Sequence, residues 1–251
     1  SCNYFFYEAA DRMGIDTLDK YASYFGLGKK TGIELPSEKS GDVASRETYS
    51  KIRPGKMIGP GDVLNASIGQ GDNNFTPMQI AKYISSIANS GTVVNPTIIK
   101  SVLNSDGTEV SKDEIRKYTN EKLGIVDTDD GITISDESIE VAKEGMRMAA
   151  SEAGGTAYNI FKNFNIEVAG KTGSAEAGKD SNGKDLVNAW FVCFAPFDNP
   201  EVAVVVMIEN GGHGNYAAEV ARDVLIQYFG MNESTEVDES MEATPFVEQI
   251  R

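Results

Sequence analysis

Residues 168–176, VAGKTGSAE, decide how the rest of the chain is interpreted. Successive side chains on a β-strand alternate between its two faces, so the hydroxyls of Thr172 and Ser174 share one face. Gly170 and Gly173 leave room for a ligand to approach the backbone closely, and Lys171 adds a positive charge. The stretch therefore predicts a strand that binds an anion.

A phosphate-binding P-loop is the obvious alternative, because Gly170, Lys171 and Thr172 match the end of that motif. The motif also requires a glycine five residues before Gly170, since its glycine-rich loop wraps the phosphates with backbone amides. Asn165 stands at that position. The stretch is therefore not a P-loop.

The composition limits the partners. The 251 residues, 40% of them hydrophobic, suffice for one large domain or two small ones with a buried core. They include 23 Lys and Arg against 38 Asp and Glu, a formal charge of -15. This excess of negative charge argues against nucleic acid or an anionic membrane as a general partner. No run of 18 apolar residues and no signal-peptide pattern occurs, so no membrane span is predicted in this segment.

The hydrophobic pattern predicts helices before and after a sheet. The clearest helix starts at Thr76, an N-cap followed by Pro77 at the first position and Gln79 at the third, which together form a capping box. The first helix is rich in aromatic residues and is expected to be buried. Helices are predicted at residues 4–10, 17–25, 77–89, 136–151 and 217–229.

Three strand-like runs, at residues 166–175, 187–195 and 202–208, are joined by short links. Short links permit only antiparallel neighbours, so these runs predict a meander. A further hairpin is predicted at residues 97–110 around an Asp-Gly turn. Loops are predicted at residues 65–71 and, as a polar surface excursion, at 111–133.

Two short signatures, Ser1-x-Asn3 and Lys171-Thr172-Gly173, stand in an order that is typical of penicillin-binding proteins and serine β-lactamases. The third signature of that group, Ser-x-x-Lys, does not occur ahead of Ser1, where the group places it. Ser181 and Lys184 have its spacing, but they follow the Lys171 strand and lie in a glycine-containing turn.

Two longer stretches narrow the resemblance. Residues 61–71, GDVLNASIGQG, precede the Thr76 capping box, and residues 188–196 read NAWFVCFAP. Both are similar to the class B penicillin-binding transpeptidases, in particular the elongation or sporulation branch. The resemblance covers residues 1–230 as the C-terminal part of a transpeptidase domain and leaves residues 231–251 as an acidic tail.

The resemblance implies a mixed α/β fold of the penicillin-binding and serine β-lactamase type, an antiparallel sheet flanked by helices. The family sheet has five strands, and the first two would lie upstream of this chain. Residues 202–208 would then have an unpaired strand edge without the upstream segment. We therefore expect the chain to fold only with that segment, and a cooperative, soluble domain refolded from residues 1–251 alone would contradict this.

The resemblance also implies a function, peptidoglycan D,D-transpeptidation through a serine acyl-enzyme, with the nucleophile outside this chain. A serine β-lactamase, a D,D-carboxypeptidase and a non-catalytic β-lactam sensor or scaffold remain alternatives. The implied ligands are stem peptides ending in D-Ala-D-Ala and β-lactam antibiotics. The implied partners are the upstream segment and a glycosyltransferase, at the extracytoplasmic face of a membrane to which an N-terminal segment anchors the protein. The residues implied as catalytic are Ser1, Asn3 and Lys171, and those implied as substrate-binding are Thr172, Gly173 and Ser174.

The resemblance gives these residues separate roles. Ser1 would relay a proton between the missing lysine and the leaving amine, and Asn3 would hydrogen-bond the substrate amide. Lys171 would set the local field. The hydroxyls of Thr172 and Ser174 would hold the D-Ala carboxylate or its β-lactam mimic, and the Ser174 N–H would form half of an oxyanion hole. The loss of one such donor typically raises the barrier by about 3 kcal/mol.

Three residues near these motifs suggest a metal site. Cys2 lies between Ser1 and Asn3, Cys193 lies on the strand next to Lys171, and His213 lies in the loop before the last helix. Two thiolates and an imidazole could hold a structural zinc ion, although serine acyl transfer requires no cofactor. Two inert buried thiols and a disulfide between the cysteines are the alternatives.

Overall fold

A computed structural model describes residues 2–125 and 134–231 of the chain. The elements appear in chain order as α1 (Asn3–Met13), α2 (Ile15–Tyr24), α3 (Arg46–Ile52), α4 (Pro60–Ser67), α5 (Pro77–Ala88), α6 (Lys112–Leu123), α7 (Asp136–Ser151), α8 (Tyr158–Phe161), β1 (Ala169–Lys179), β2 (Asp185–Ala195), β3 (Val202–Ile208) and α9 (Gly214–Tyr228). Within these ranges no helix is both long and apolar enough to cross a membrane.

The three strands form one antiparallel sheet in the order β1-β2-β3, which confirms the predicted meander. Lys171 on β1 lies opposite Val192 on β2, and Cys193 on β2 lies opposite Val204 on β3. The sheet and the surrounding helices also confirm the mixed α/β fold class. In the described part of the chain β1 and β3 each pair with β2 alone, so both present an outer edge.

Helices pack on both faces of the sheet because the side chains of β2 alternate. Phe191 and Cys193 join Leu225 of α9 in the larger core cluster, while Phe194 joins Ile84 of α5 in the smaller one. All but Ile84 are completely buried, and Ile84 is nearly so. Burial of one such apolar side chain stabilises the fold by roughly 1.5–3 kcal/mol. The position of β1 is therefore fixed through β2 by two separate packing surfaces.

The capping box predicted for α5 is present. Thr76 Oγ1 accepts a hydrogen bond from the Gln79 N–H at 3.2 Å, and Gln79 Oε1 accepts one from the Thr76 N–H at 2.8 Å. Gln79 does more than cap the helix, because its Nε2 donates to the carbonyl oxygens of Lys29 at 2.7 Å and Ser40 at 2.5 Å. The side chain is completely buried and ties α5 to the segment between α2 and α3.

We expect Gln79→Leu to lower the free energy of unfolding by about 2–3 kcal/mol, because three backbone groups would lose their buried partner. Gln227→Leu is the matched control, since Gln227 lies on the exposed side of α9. Chemical denaturation of both variants of the intact protein measures the difference. Equal stability of the two variants would show that the buried amide contributes nothing.

The first helix forms where it was predicted, but its expected burial is wrong. Tyr4 and Phe5 are 78% and 64% exposed, whereas Ala10 is completely buried. The buried side of α1 packs against α4 and α2. Helical periodicity predicts that a helix forms, but it does not specify which of its faces another element covers.

The predicted hairpin at residues 97–110 is only a turn. Leu103 and Glu109 form a single bridge, and Asp106 Oδ1 accepts a hydrogen bond from the Thr108 N–H at 2.9 Å. No strand is found in that range. A two-stranded ribbon is marginal without a third strand or a packing surface, and Leu103 remains exposed.

Two predicted loops are partly helical. Helix α4 extends to Ser67, inside the predicted loop at residues 65–71. Its start is stabilised by Pro60 at the first position and by Asp62, which accepts a hydrogen bond from the Gly59 N–H at 2.8 Å. Helix α6 occupies residues 112–123, with Ser111 as its N-cap and Gly124 in a left-handed conformation at its end. These capping residues are sequence signals that outweighed the polar composition. The remainder of the predicted excursion, 126–133, and all of the predicted tail except Met231 lie outside the described residues.

Candidate active site

The middle of β1 presents backbone groups at the outer edge of the sheet. Lys171 Nζ donates to the Thr172 carbonyl oxygen at 2.6 Å, and Gln70 Nε2 donates to the Ser174 carbonyl oxygen at 3.3 Å. Neither donor belongs to β2. The two acceptor residues, Thr172 and Ser174, are separated by one position, as expected for backbone groups on the same edge of a strand. The carbonyls of Thr172 and Ser174 therefore point away from β2.

A contact on β2 independently gives the same orientation for the backbone groups of Thr172 and Ser174. The Val187 carbonyl accepts a hydrogen bond from the Gly212 N–H at 2.9 Å, on the side of β2 away from β1. Val187 lies opposite Glu176, two residues after Ser174. In an antiparallel pair, the N–H and C=O of one residue point to the same side. The Ser174 N–H therefore also points to the outer edge, where it can donate to a ligand.

Lys171 lies on this strand in a partly desolvated position. Its side chain remains in contact with solvent, but neighbouring atoms displace part of the water around its ammonium group and thereby lower the pKa of Lys171. Burial disfavours the charged form of an amine. A bound anion would favour the same charged form, so the site combines a positive charge with incomplete hydration.

The hydroxyl of Thr172 lies within 2.9 Å of the Thr156 hydroxyl. Thr156 belongs to the loop between α7 and α8. Thr172 and Ser174 lie opposite Phe191 and Ala189 of β2, whose side chains belong to the core cluster shared with α9. Cross-strand partners project to the same face, so the predicted placement of the two hydroxyls on one face of β1 is confirmed.

Gly173 is in close contact with the start of α9. A Cβ atom at Gly214, the first residue of α9, would lie 2.6 Å from the Gly173 carbonyl oxygen and 2.8 Å from that of Trp190. The N-terminal end of α9 therefore rests on the backbone of β1. This end of a helix carries a partial positive charge, which adds to the charge of Lys171.

Asn3 is connected to β1 through α4 and the segment that follows it. It is the first residue of α1, which packs against α4, and the segment after α4 carries Gln70, which contacts Ser174. Ser1 lies outside the described residues. The catalytic roles of Ser1 and Asn3 stay predictions.

The structure does not bring the three candidate zinc ligands together. Cys2 is exposed at the N-cap of α1, Cys193 is completely buried under α9, and His213 is the N-cap of α9. No group of three potential metal ligands occurs within residues 2–125 and 134–231. Burial raises the pKa of the Cys193 thiol to about 12, which disfavours the thiolate that would bind zinc. The positions of these residues thus give no support to the predicted metal site, and both cysteines are free.

Two residues of the site, Gln70 and Thr156, were not predicted as functional. Gln70 lies within the GQG sequence of residues 69–71, and Thr156 follows Gly154 and Gly155. Paired glycines before a hydroxyl residue are a signal of a constrained loop. Nothing in the sequence indicates that this loop meets Thr172, because 16 residues separate the two threonines.

The groups on and beside β1 can bind an anion. Strand β1 carries a lysine, two hydroxyls and an outward N–H, and a helix N-terminus packs on its backbone; such groups stabilise negative charge. The family model described as "Penicillin binding protein transpeptidase domain" matches residues 1–226. The chain therefore belongs to the penicillin-binding protein transpeptidase domain family. The predicted boundary at residue 230 stays a prediction.

Individual relatives agree with this membership. The chain is 33% identical to the peptidoglycan D,D-transpeptidase MrdA of Acinetobacter baumannii over 236 residues, which cover 89% of this chain and 32% of that protein. It resembles the crystal structure of Pseudomonas aeruginosa PBP2 in complex with WCK 5153, at 28% identity and a TM-score of 0.73, covering 92% of this chain and 48% of that one. It also resembles the structure of a peptidoglycan synthase complex, at 28% identity and a TM-score of 0.66, covering 94% of this chain and 37% of that one. The chain thus spans about a third of the length of the curated relative.

Proposed function

We propose that the protein containing this chain is a peptidoglycan D,D-transpeptidase, in which residues 1–230 form the C-terminal part of the transpeptidase domain. The observation that carries the proposal is the outward orientation of the Ser174 N–H beside Lys171 and Thr172. The name of the Acinetobacter relative supports the same activity. The nucleophile is a serine of a Ser-x-x-Lys signature outside this chain.

The reaction proceeds in two steps. The serine Oγ attacks the carbonyl carbon of the penultimate D-Ala, the peptide C–N bond breaks, and the terminal D-Ala leaves with a proton on its amine. An amine of a second stem peptide then attacks the ester carbonyl carbon and the C–O bond to the serine breaks, which forms the cross-link, while a proton from the attacking amine restores the serine hydroxyl. Each attack places negative charge on the carbonyl oxygen, and the Ser174 N–H donates to that oxygen.

The remaining groups bind the substrate and assist proton transfer. The hydroxyls of Thr172 and Ser174 hold the terminal carboxylate of a D-Ala-D-Ala peptide or the equivalent carboxylate of a β-lactam, and Gly173 permits close approach. Lys171 contributes a positive charge, which strengthens the binding of a carboxylate. Ser1 passes the proton to the leaving amine, and Asn3 donates to the substrate amide.

The location and the partners follow from the same proposal. Peptidoglycan is assembled outside the membrane, so the domain works at the extracytoplasmic face and an anchor lies outside this chain. A glycosyltransferase that polymerises the glycan strands is the expected partner. The peptidoglycan synthase complex among the similar structures supports this expectation.

Labelling with a fluorescent penicillin tests the proposal. The intact protein is expected to form a covalent adduct that survives a chase with unlabelled penicillin for many minutes. Rapid loss of the label would instead indicate a β-lactamase, and no adduct would indicate a scaffold. Turnover of a D-Ala-D-Ala peptide with and without an added amine acceptor distinguishes a transpeptidase from a D,D-carboxypeptidase, since only the former forms a cross-linked product.

A further inference from the structure

The end of α7 and the loop that follows it contact the β1 segment at two points. Ser151 Oγ donates to the Val168 carbonyl oxygen at 2.8 Å and accepts from the Val168 N–H at 3.2 Å. Thr156 then contacts Thr172 at 2.9 Å, four residues further along the strand. The last residue of α7 therefore contacts the chain just before β1, and the loop after it contacts the strand at Thr172.

The conformation of this loop is fixed by contacts away from the strand. Arg147 Nη1 donates to Glu167 at 2.9 Å, and Arg147 Nη2 also contacts Glu152 at the start of the loop. A Cβ atom at Gly155 would lie 2.4 Å from the Met148 carbonyl oxygen, so the backbone passes directly against the end of α7. The Thr156 hydroxyl is thus placed by a rigid support.

The direction of the hydrogen bond between the two threonines matters for binding. In the structure the Thr172 hydroxyl donates to Thr156 Oγ1. A carboxylate only accepts hydrogen bonds, so Thr172 must rotate its proton toward a bound carboxylate. Thr156 can then donate its own proton to Thr172 Oγ1, because each hydroxyl offers one donor and can also accept.

We propose that Thr156 is a positioning residue for substrate binding, which holds the Thr172 hydroxyl in place and reverses the hydrogen bond when a carboxylate binds. This inference rests on the proposed function of Thr172. A chain of two hydroxyls that ends on a charged acceptor is stronger than its separate bonds, since each bond polarises the next. The role depends on the carboxylate of the ligand and not on the reacting carbonyl.

The test compares two thioester substrates of the intact protein, one with a leaving group ending in a carboxylate and one ending in a carboxamide. Thr156→Val keeps the branched shape and removes the hydroxyl. We expect the second-order acylation rate constant of this variant to fall about five- to tenfold for the carboxylate substrate, and by no more than about twofold for the carboxamide. Thr156→Ser retains the hydroxyl and should restore the rate to within about twofold.

Two outcomes would overturn the inference. Equal losses on both substrates would mean that Thr156 acts only on the fold, and no loss on either would mean that the hydroxyl is dispensable. Thr97→Val is the matched control, because the Thr97 hydroxyl donates a hydrogen bond to Glu34 at 2.8 Å and accepts one from the Ile99 N–H at 3.1 Å, away from β1. Failure of the proposed function is a different result, in which the unsubstituted protein is not acylated by either substrate.

Discussion

Replacing Gly214 by alanine is expected to lower the acylation rate about 100-fold and the free energy of unfolding by about 3 kcal/mol. The new Cβ would lie 2.6 Å from the Gly173 carbonyl oxygen, 2.8 Å from that of Trp190 and 2.9 Å from the Gly173 nitrogen. All three are backbone atoms, so no side chain can rotate away, and either β1 or α9 must move. Overpacking of this kind typically costs 1–3 kcal/mol, and a displacement of about 1 Å at a catalytic strand can cost about 100-fold in rate.

Gly145→Ala is the matched control for this variant. Gly145 lies in the middle of α7, and a Cβ atom there would have no neighbour within 4 Å. Alanine favours a helix interior over glycine by roughly 1 kcal/mol, so this variant should be slightly more stable and fully active. Acylation by a fluorescent penicillin and thermal unfolding measure both effects. Wild-type acylation by the Gly214 variant would show that α9 does not fix the position of the strand.

Replacing Lys171 by alanine is expected to lower the acylation rate by about 100-fold or more, because the proposed site would lose its positive charge. The removal of one group that stabilises the transition-state charge typically lowers the rate 10²–10³-fold, which corresponds to a barrier higher by about 3–4 kcal/mol. Lys179→Ala is the matched control, since Lys179 lies on the same strand but pairs with Asp185 near the β-hairpin turn. A similar loss in both variants would mean that the effect is a general one on the strand.

The pH dependence gives Lys171 a second test. The lysine is charged below its pKa, and desolvation lowers that pKa, so the charge disappears at a lower pH than in free lysine, whose pKa is about 10.4. Acylation should therefore decrease on the alkaline side as the pH rises through the lowered pKa. Lys171→Arg should lose this alkaline decrease, because a guanidinium stays protonated. An unchanged alkaline limb in this variant would assign the titration to another group.

Local sequence signals predicted those elements whose stability is decided locally. The Thr76 capping box, the Ser135 N-cap of α7 and the three strands of the meander all appear close to their predicted positions. The same class of signal marks both ends of α6, Ser111 and Gly124, although the polar composition of residues 111–133 predicts a loop. The predicted hairpin at residues 97–110 failed for a different reason, because a strand needs a neighbour that lies elsewhere in the chain.

The candidate site likewise contains residues that the sequence predicts and residues that only the fold brings together. The Lys-Thr-Gly-Ser segment was found from residue types and strand alternation, since these are properties of consecutive residues. Gln70, Thr156 and Gly214 meet that segment from three separate parts of the chain. The convergence of Cys2, Cys193 and His213 was inferred from proximity to motifs, and packing placed Cys193 in the core instead.

The sequence by itself determined that β1 carries a lysine, two hydroxyls and two glycines. It also determined that the chain resembles the penicillin-binding transpeptidases. Only the tertiary structure decided which way the strand faces, and what supports it. Alternation specifies that neighbouring residues differ in orientation, but it does not specify which edge remains open. The pairing of β1 with β2 made that choice, and it left the Ser174 N–H at the outer edge of the sheet.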